Sequence, residues 1–148
     1  RFDAVAYAPD VIPMAPGDTY SDDAVHVTTC RTVHPVASLC YRFTDTQSGA
    51  SLAYTGDTAY HAPIAEHAAG VGLLVTEASY GGSAAPADNA SLHSGAPEAA
   101  RLANAAGAER LALVHCPEEK QNDAVVAARR DFRNSFIPED GETVELAG

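Results

Sequence analysis

Five side chains able to hold a metal or move a proton stand at the ends of short apolar runs: His34, Asp57, Glu77, His93 and His115. Ser51 to Thr55 reads as a half-apolar strand. Gly56 then permits a tight exit that a Cβ would resist, and Asp57 with Thr58 stands at the strand's open end. A carboxylate there can hold a metal; equally, Gly56-Asp57-Thr58 can be a turn followed by a helix cap. His34 lies in a loop between two β-rich runs and His115 follows the apolar run Arg110 to Val114. Taken singly, each of these histidines could be a ligand or a plain loop residue. Two imidazoles and a carboxylate suit zinc, iron or manganese better than calcium or magnesium, which prefer oxygen shells, and zinc is the first expectation. His26 alternates along a strand, and His61 and His67 lie on or near an exposed helix, so these three read as structural or solvated.

The elements that must position these groups alternate in type. Phe2 to Tyr7 has strand alternation, Pro9 to Gly17 is irregular, and Asp18 to Asp23 reads as an acidic turn. Ala24 to Cys30 is rich in β-formers; Leu39 to Phe43 and Ser51 to Thr55 predict a hairpin turning around Gly49. A short helix is expected over Thr58 to Ala69, stopped by Gly70, and a buried strand over Val71 to Val75 that ends in Thr76-Glu77. Gly81 to Ser91 has the small residues of a mobile flap and delivers His93. Ser94 can cap a helix over Ala96 to Ala106 with Gly107 as stop, and a last helix from Asn122 to Ser135 leads to a strand over Thr143 to Leu146. Strands alternating with helices predict an α/β layered fold, in which functional groups gather beyond one end of the sheet.

At 148 residues the chain is sized for one domain with a real core. The formal charge of −11 opposes attraction to polyanions, so nucleic acid is not an expected partner. No run has the length of a membrane span and no signal peptide is visible, which predicts a soluble, cytoplasmic protein. Cys30, Cys40 and Cys116 cannot all pair internally; Cys30 and Cys40 read as small buried apolar residues in a reducing compartment.

Several separated segments, in this order, resemble the metallo-β-lactamase fold and especially its ribonuclease Z-like phosphodiesterase branch. His34 to Phe43 is similar to the family segment in which a ligand histidine precedes a Gly-Tyr-Arg-type strand. Tyr54 to Thr58 resembles the segment whose aspartate bridges two metals. Thr76-Glu77-Ala78-Ser79-Tyr80 resembles a His-Glu-Ala-Thr/Ser-Phe segment, His93-Ser94-Gly95 a His-Ser-Thr segment, and Leu113-Val114-His115 the Leu-Thr-His that supplies the last ligand. The resemblance implies that His34 ligates one metal, His115 the other, and Asp57 bridges them. It implies that a metal-bound hydroxide attacks the substrate while His93 stabilises charge or protonates the leaving group. Glu77 would orient His93 or a ligand from behind.

The family's His-x-His-x-Asp-His signature is absent, and no His-x-His occurs. Residues 1–148 therefore resemble the C-terminal portion of the domain, half of an αββα sandwich: one mixed sheet with covering helices. An N-terminal half is expected to face it, supplied by another segment or chain, or by a second copy in a homo-oligomer. Without more ligands tight metal binding is not expected, so activity would require that half. The missing insertion between His34 and Asp57, and Cys116-Pro117-Glu118 in place of a Ser-x-Arg-Tyr-like continuation, favour a small phosphodiester or related ester over tRNA. The competing reading is a degenerate half-domain acting as an interaction subunit. A third, a Cys116 nucleophile, lacks an activating cation in the sequence.

Overall fold

The chain is described from a computed structural model over residues 10–147. The strand expected at Phe2 to Tyr7 lies outside the described residues. Seven strands form one mixed sheet in sequential order: β1 (Thr19–Ser21), β2 (Val25–Arg31), β3 (Leu39–Asp45), β4 (Ser51–Tyr54), β5 (Leu73–Glu77), β6 (Arg110–Val114) and β7 (Ser135–Phe136). The first four pair antiparallel and the last four parallel. Helices α1 (Ala62–His67), α2 (Ala96–Ala106) and α3 (Gln121–Asp131) make the crossovers between the parallel strands.

Residues directly opposite in the register share a face, so two rows can be read across the sheet. One row runs Cys40, then Ala53, Leu74 and Leu111 with Leu113, and packs with Ile64, Ala99, Leu102, Ala103, Ala124 and Ala128 from the three helices into a single core. The alanine-rich helix faces let these helices sit close to one another and to the strands. The other row carries Val27, Phe43 and Leu52, and beside them Tyr41, Tyr54 and Val75. Phe43 is 36% and Tyr54 46% exposed, and the Tyr41 and Phe43 rings stack 6.1 Å apart. Among the described residues, all three helices lie on the first face.

The structure revises several boundaries. Thr19–Ser21 pairs with β2 where an acidic turn was expected. The helix expected from Thr58 begins only at Ala62, with His61 as N-cap and a proline in its first turn, because Thr58 is committed to other bonds. Strand β5 starts at Leu73, two residues late, since Val71 N–H still bonds back to Ala68 O in the helix exit. Helix α3 ends at Asp131, not Ser135; Ser135 and Phe136 instead join the sheet beside Leu111 and Ala112. Thr143 to Leu146 forms no strand and is held through Arg110, which donates to Glu145 O at 3.0 Å. Helix α2 and strand β6 have the bounds the residue pattern gave. Among the described residues no helix is long and apolar enough to cross a membrane.

The two faces differ enough to be told apart by substitution. Leu74→Ala, in the helix-covered row, is expected to cost about 2–5 kcal/mol. Phe43→Ala, on the open row, is expected to cost less than about 1 kcal/mol in the isolated chain. Urea unfolding of both variants checks this; equal losses would mean the faces are wrongly assigned.

Candidate metal centre

The ends of β4, β5 and β6 point the same way because these strands are parallel, and the loop from β2 to β3 arrives at that same end. Each chemically able residue is delivered there by a separate local device. Gly56, at φ +61°, turns the chain out of β4 and leaves Asp57 at the rim. The loop holding His34 is stitched down beside it: Val33 N–H donates to Thr58 Oγ1 at 3.0 Å and Ala59 N–H to Val33 O at 2.8 Å. His115 follows β6 directly, in the left-handed region at φ +48°. A non-glycine residue held there costs about 1–3 kcal/mol, a strain that occurs preferentially at functional sites.

Glu77, at the end of β5, is fully buried yet bonded at both oxygens. Oε1 accepts from Thr58 N–H, and Oε2 accepts from Ser79 Oγ at 2.6 Å. His93 Nδ1 lies 2.8 and 3.0 Å from the two oxygens. That pairing assigns the proton to Nδ1 and turns Nε2 away from the carboxylate. His115 Nδ1 makes the corresponding contact with Asp57 Oδ1 at 3.0 Å. A carboxylate behind an imidazole is the usual way a metal-binding histidine is oriented.

The segment before His93, read in the sequence as a free flap, is braced. Tyr80 OH donates to Asn89 Oδ1 at 3.1 Å, Asn89 Nδ2 donates to His93 O at 2.9 Å, and Gly82 lies against the Asp123 backbone, where an added Cβ would approach to 2.7 Å. Ser94 does not cap α2. Its hydroxyl donates instead to Thr58 O at 2.7 Å, and Gly95 is the N-cap, with Glu98 reaching back to its N–H at 3.0 Å.

These devices bring four of the five sequence-selected groups to one place around the fifth. Donor atoms of His34, Asp57 and His93 lie within 4.8 Å of one another, as do those of Glu77, His93 and His115. The His93 ring is 5.2 Å from that of His34 and 5.5 Å from that of His115. Imidazole nitrogens with one carboxylate at this spacing fit zinc, manganese or iron, so the donor set suits the group the sequence pointed to. Ser79 was not singled out in the sequence, yet its Oγ lies 3.2 Å from His115 Nδ1 while serving Glu77. Its signal was present as a hydroxyl two residues after a carboxylate at a strand end. A cleft of about 740 Å³ opens beside His115 and is walled partly by Glu139, Asp140 and Glu142. Cys116 borders it too, but burial pushes its thiol up, the opposite of an activated nucleophile. His26 bonds Ser21 Oγ at the sheet edge, and His67 is half-buried against Thr28.

One mixed sheet with its helices, and imidazoles and carboxylates converging past the strand ends, match an α/β metallo-β-lactamase-like fold. The family model of the beta-lactamase superfamily domain matches residues 2–116, and the chain belongs to this superfamily, in its ribonuclease Z-like branch. It is 36% identical over 105 residues to a ribonuclease Z of Halobacterium salinarum, covering 69% of this chain and 34% of that protein. It is 39% identical over 100 residues to an uncharacterised protein of Mycobacterium tuberculosis, covering 67% and 36%. The metallo-β-lactamase fold protein YhfI of Bacillus subtilis superposes with TM-score 0.77 at 26% identity, over 88% of this chain and 54% of that one. The short form of human tRNase Z shares the fold, with TM-score 0.69 at 19% identity over 86% and 45%. The chain thus spans about a third of the length of these curated relatives.

Two substitutions probe the support of the site. Glu77→Ala leaves Thr58 N–H and His93 without their buried acceptor and is expected to cost about 2–4 kcal/mol in urea unfolding. Gly95→Ala places a Cβ 1.8 Å from Ser83 O. It is expected to displace the loop before His93, read as altered amide shifts for Ser83 and His93 in a still-folded chain.

Proposed function

We propose that this chain is the ligand-bearing C-terminal portion of a metal-dependent hydrolase that cleaves a phosphodiester or a related small ester. The observation that carries this reading is that His93, held by the buried Glu77, is shared by two donor clusters, one with His34 and Asp57 and one with Glu77 and His115. In it His34, Asp57 and His115 would hold the metal. Zinc is the first candidate, with manganese or iron fitting the same donors. A metal held there lowers the pKa of water to roughly 7 and stabilises charge growing on phosphorus or a carbonyl oxygen. In its imidazolium form His93 would keep its Nδ1–H on Glu77 and present Nε2–H to the substrate side, where it can donate a proton to the leaving oxygen. Glu77 acts as the positioning residue for that ring. The net charge of −11 and the acidic wall of the cleft repel long polyanions, which supports a small substrate over tRNA.

The donors supplied here fall short of three protein ligands for each of two metals. The remaining ligands come, in this reading, from a polypeptide segment bearing His-x-His-x-Asp-His, and that segment covers the open sheet face. The free cysteines suit a reducing, cytoplasmic setting. The same open face, with Phe43 and Tyr54 unshielded, favours a second reading in which the chain is an interaction subunit without catalysis.

Hydrolysis of bis(p-nitrophenyl) phosphate with added Zn²⁺, Mn²⁺ or Fe²⁺, measured with and without the segment that completes the domain, separates the two. The hydrolase reading expects activity only with the completing segment, abolished by chelation. It also expects a fall of about 100-fold or more in Asp57→Asn and His115→Ala. A complex that forms but neither binds metal nor turns over ester would leave the interaction reading in its place.

A further inference from the structure

One other cluster of metal-binding side chains lies away from the rim, between the sheet and α1. Cys30 and Cys40 stand directly opposite on β2 and β3, and their sulfurs lie within 4.8 Å of each other and of a ring nitrogen of His67, near the end of α1. Cys40 is fully buried; Cys30 and His67 are half-buried. The His67 Nε2 sits 3.3 Å from Thr28 O, which holds the ring against β2.

Two thiols this close could also form a disulfide, and the register sets the spacing it would have. Ala24 and Thr46, and Thr32 and Ser38, are opposite residues on the same two strands, joined by backbone bonds of 3.0 and 3.4 Å. Counting by twos places Cys30 and Cys40 in the same hydrogen-bonded class of pair, with Cα atoms about 5.5 Å apart rather than the closer 4.5 Å of the other class. That spacing lies within the usual Cα···Cα range of a disulfide, so an oxidised Cys30–Cys40 link is the state that competes with a bound ion. A bridging ion is less demanding. Zn–S bonds of about 2.3 Å at a tetrahedral angle need sulfurs about 3.8 Å apart, with no direct link between them.

We propose that Cys30, Cys40 and His67 form a second metal site, for a thiophilic d¹⁰ cation such as Zn²⁺, that staples α1 to the β2–β3 pair. Two thiolates and an imidazole are a soft donor set that selects zinc over magnesium or calcium. A fourth position is left for water or an added ligand on the exposed side of Cys30. The site does not depend on the hydrolase reading, because its donors are distinct from those at the rim.

The reduced, metal-free chain is titrated with Co²⁺, whose thiolate charge-transfer band in the near ultraviolet reports sulfur ligation and is silent to the imidazole and carboxylate donors of the rim. The expected result is a band saturating at one equivalent per chain and displaced by Zn²⁺. It should persist in Cys116→Ser and in the His34→Ala/His115→Ala pair, disappear in Cys30→Ser, and weaken in affinity about tenfold or more in His67→Gln. Zn²⁺ should also protect the half-buried Cys30, but not Cys116, from iodoacetamide in the unaltered chain, a readout that needs no variant to fold. Absence of the band in a chain whose circular dichroism is α/β, a band that follows Cys116, or equal labelling of Cys30 with and without Zn²⁺ would each overturn the site.

Discussion

A carboxylate removed entirely from water must have its oxygens satisfied by protein donors, and the Glu77 side chain imposes that demand on everything around it. Thr58 N–H, Ser79 Oγ and His93 Nδ1 meet it, and each comes from a different part of the chain. Thr58 is then used twice more. Its hydroxyl receives Val33 N–H from the loop that carries His34, and its carbonyl receives Ser94 Oγ from the entrance to α2. One buried charge and one buried threonine thus lock the β2–β3 loop, the exit of β4, the end of β5 and the start of α2 into fixed relation. The rim residues need not find one another; they are carried by segments that have no other place to go.

That rigidity explains why local strain is tolerated nearby. Leu92 and His115 both have positive φ, at +57° and +48°, and flank the site from the two sides. A strained residue persists only where its surroundings over-determine it. Here Ala78 N–H bonds Val114 O immediately before His115, and Asn89 bonds both the N–H and the carbonyl of His93 immediately after Leu92. The strain therefore sits between well-anchored neighbours and aims the two imidazoles at a common volume.

The legible parts of this structure were those decided by short-range pattern. Helix α2 carries its alanine and leucine face at helical spacing and closes on Gly107 in the left-handed region, so both ends could be read. Strands β3, β4 and β6 were legible in the same way, and all five rim residues were picked out as strand-end or loop groups. What could not be read was decided by partners far along the chain. Ser94 has the residue type of an N-cap, but the Thr58 carbonyl competes for its hydroxyl and wins, moving the cap to Gly95. Ser135 and Phe136 continue a helical stretch in sequence, yet a vacant strand edge at Leu111 and Ala112 draws them out. His67, read as exposed by its helix position, becomes half-buried because β2 lies beneath that turn of α1.

The edges and the exposed face of the sheet differ in what they offer to another surface. Among the described residues its edges are three residues at β1 and two at β7, and short edge strands are one way proteins blunt an exposed edge. The other face is different: Phe43 and Tyr54 are exposed beside the half-buried Leu52 and Val75, an apolar row on a molecule whose net charge of −11 otherwise keeps copies apart. Long-range repulsion and a local apolar surface act on different length scales, the first screened beyond about 8–10 Å of salt water and the second effective only on contact. A partner that lies flat on this face gains the apolar burial without meeting the acidic wall around Glu139 and Asp140, whereas one that approaches along the rim must meet it. In the proposed reading a covering segment therefore meets the sheet face to face, with the rim left at its border.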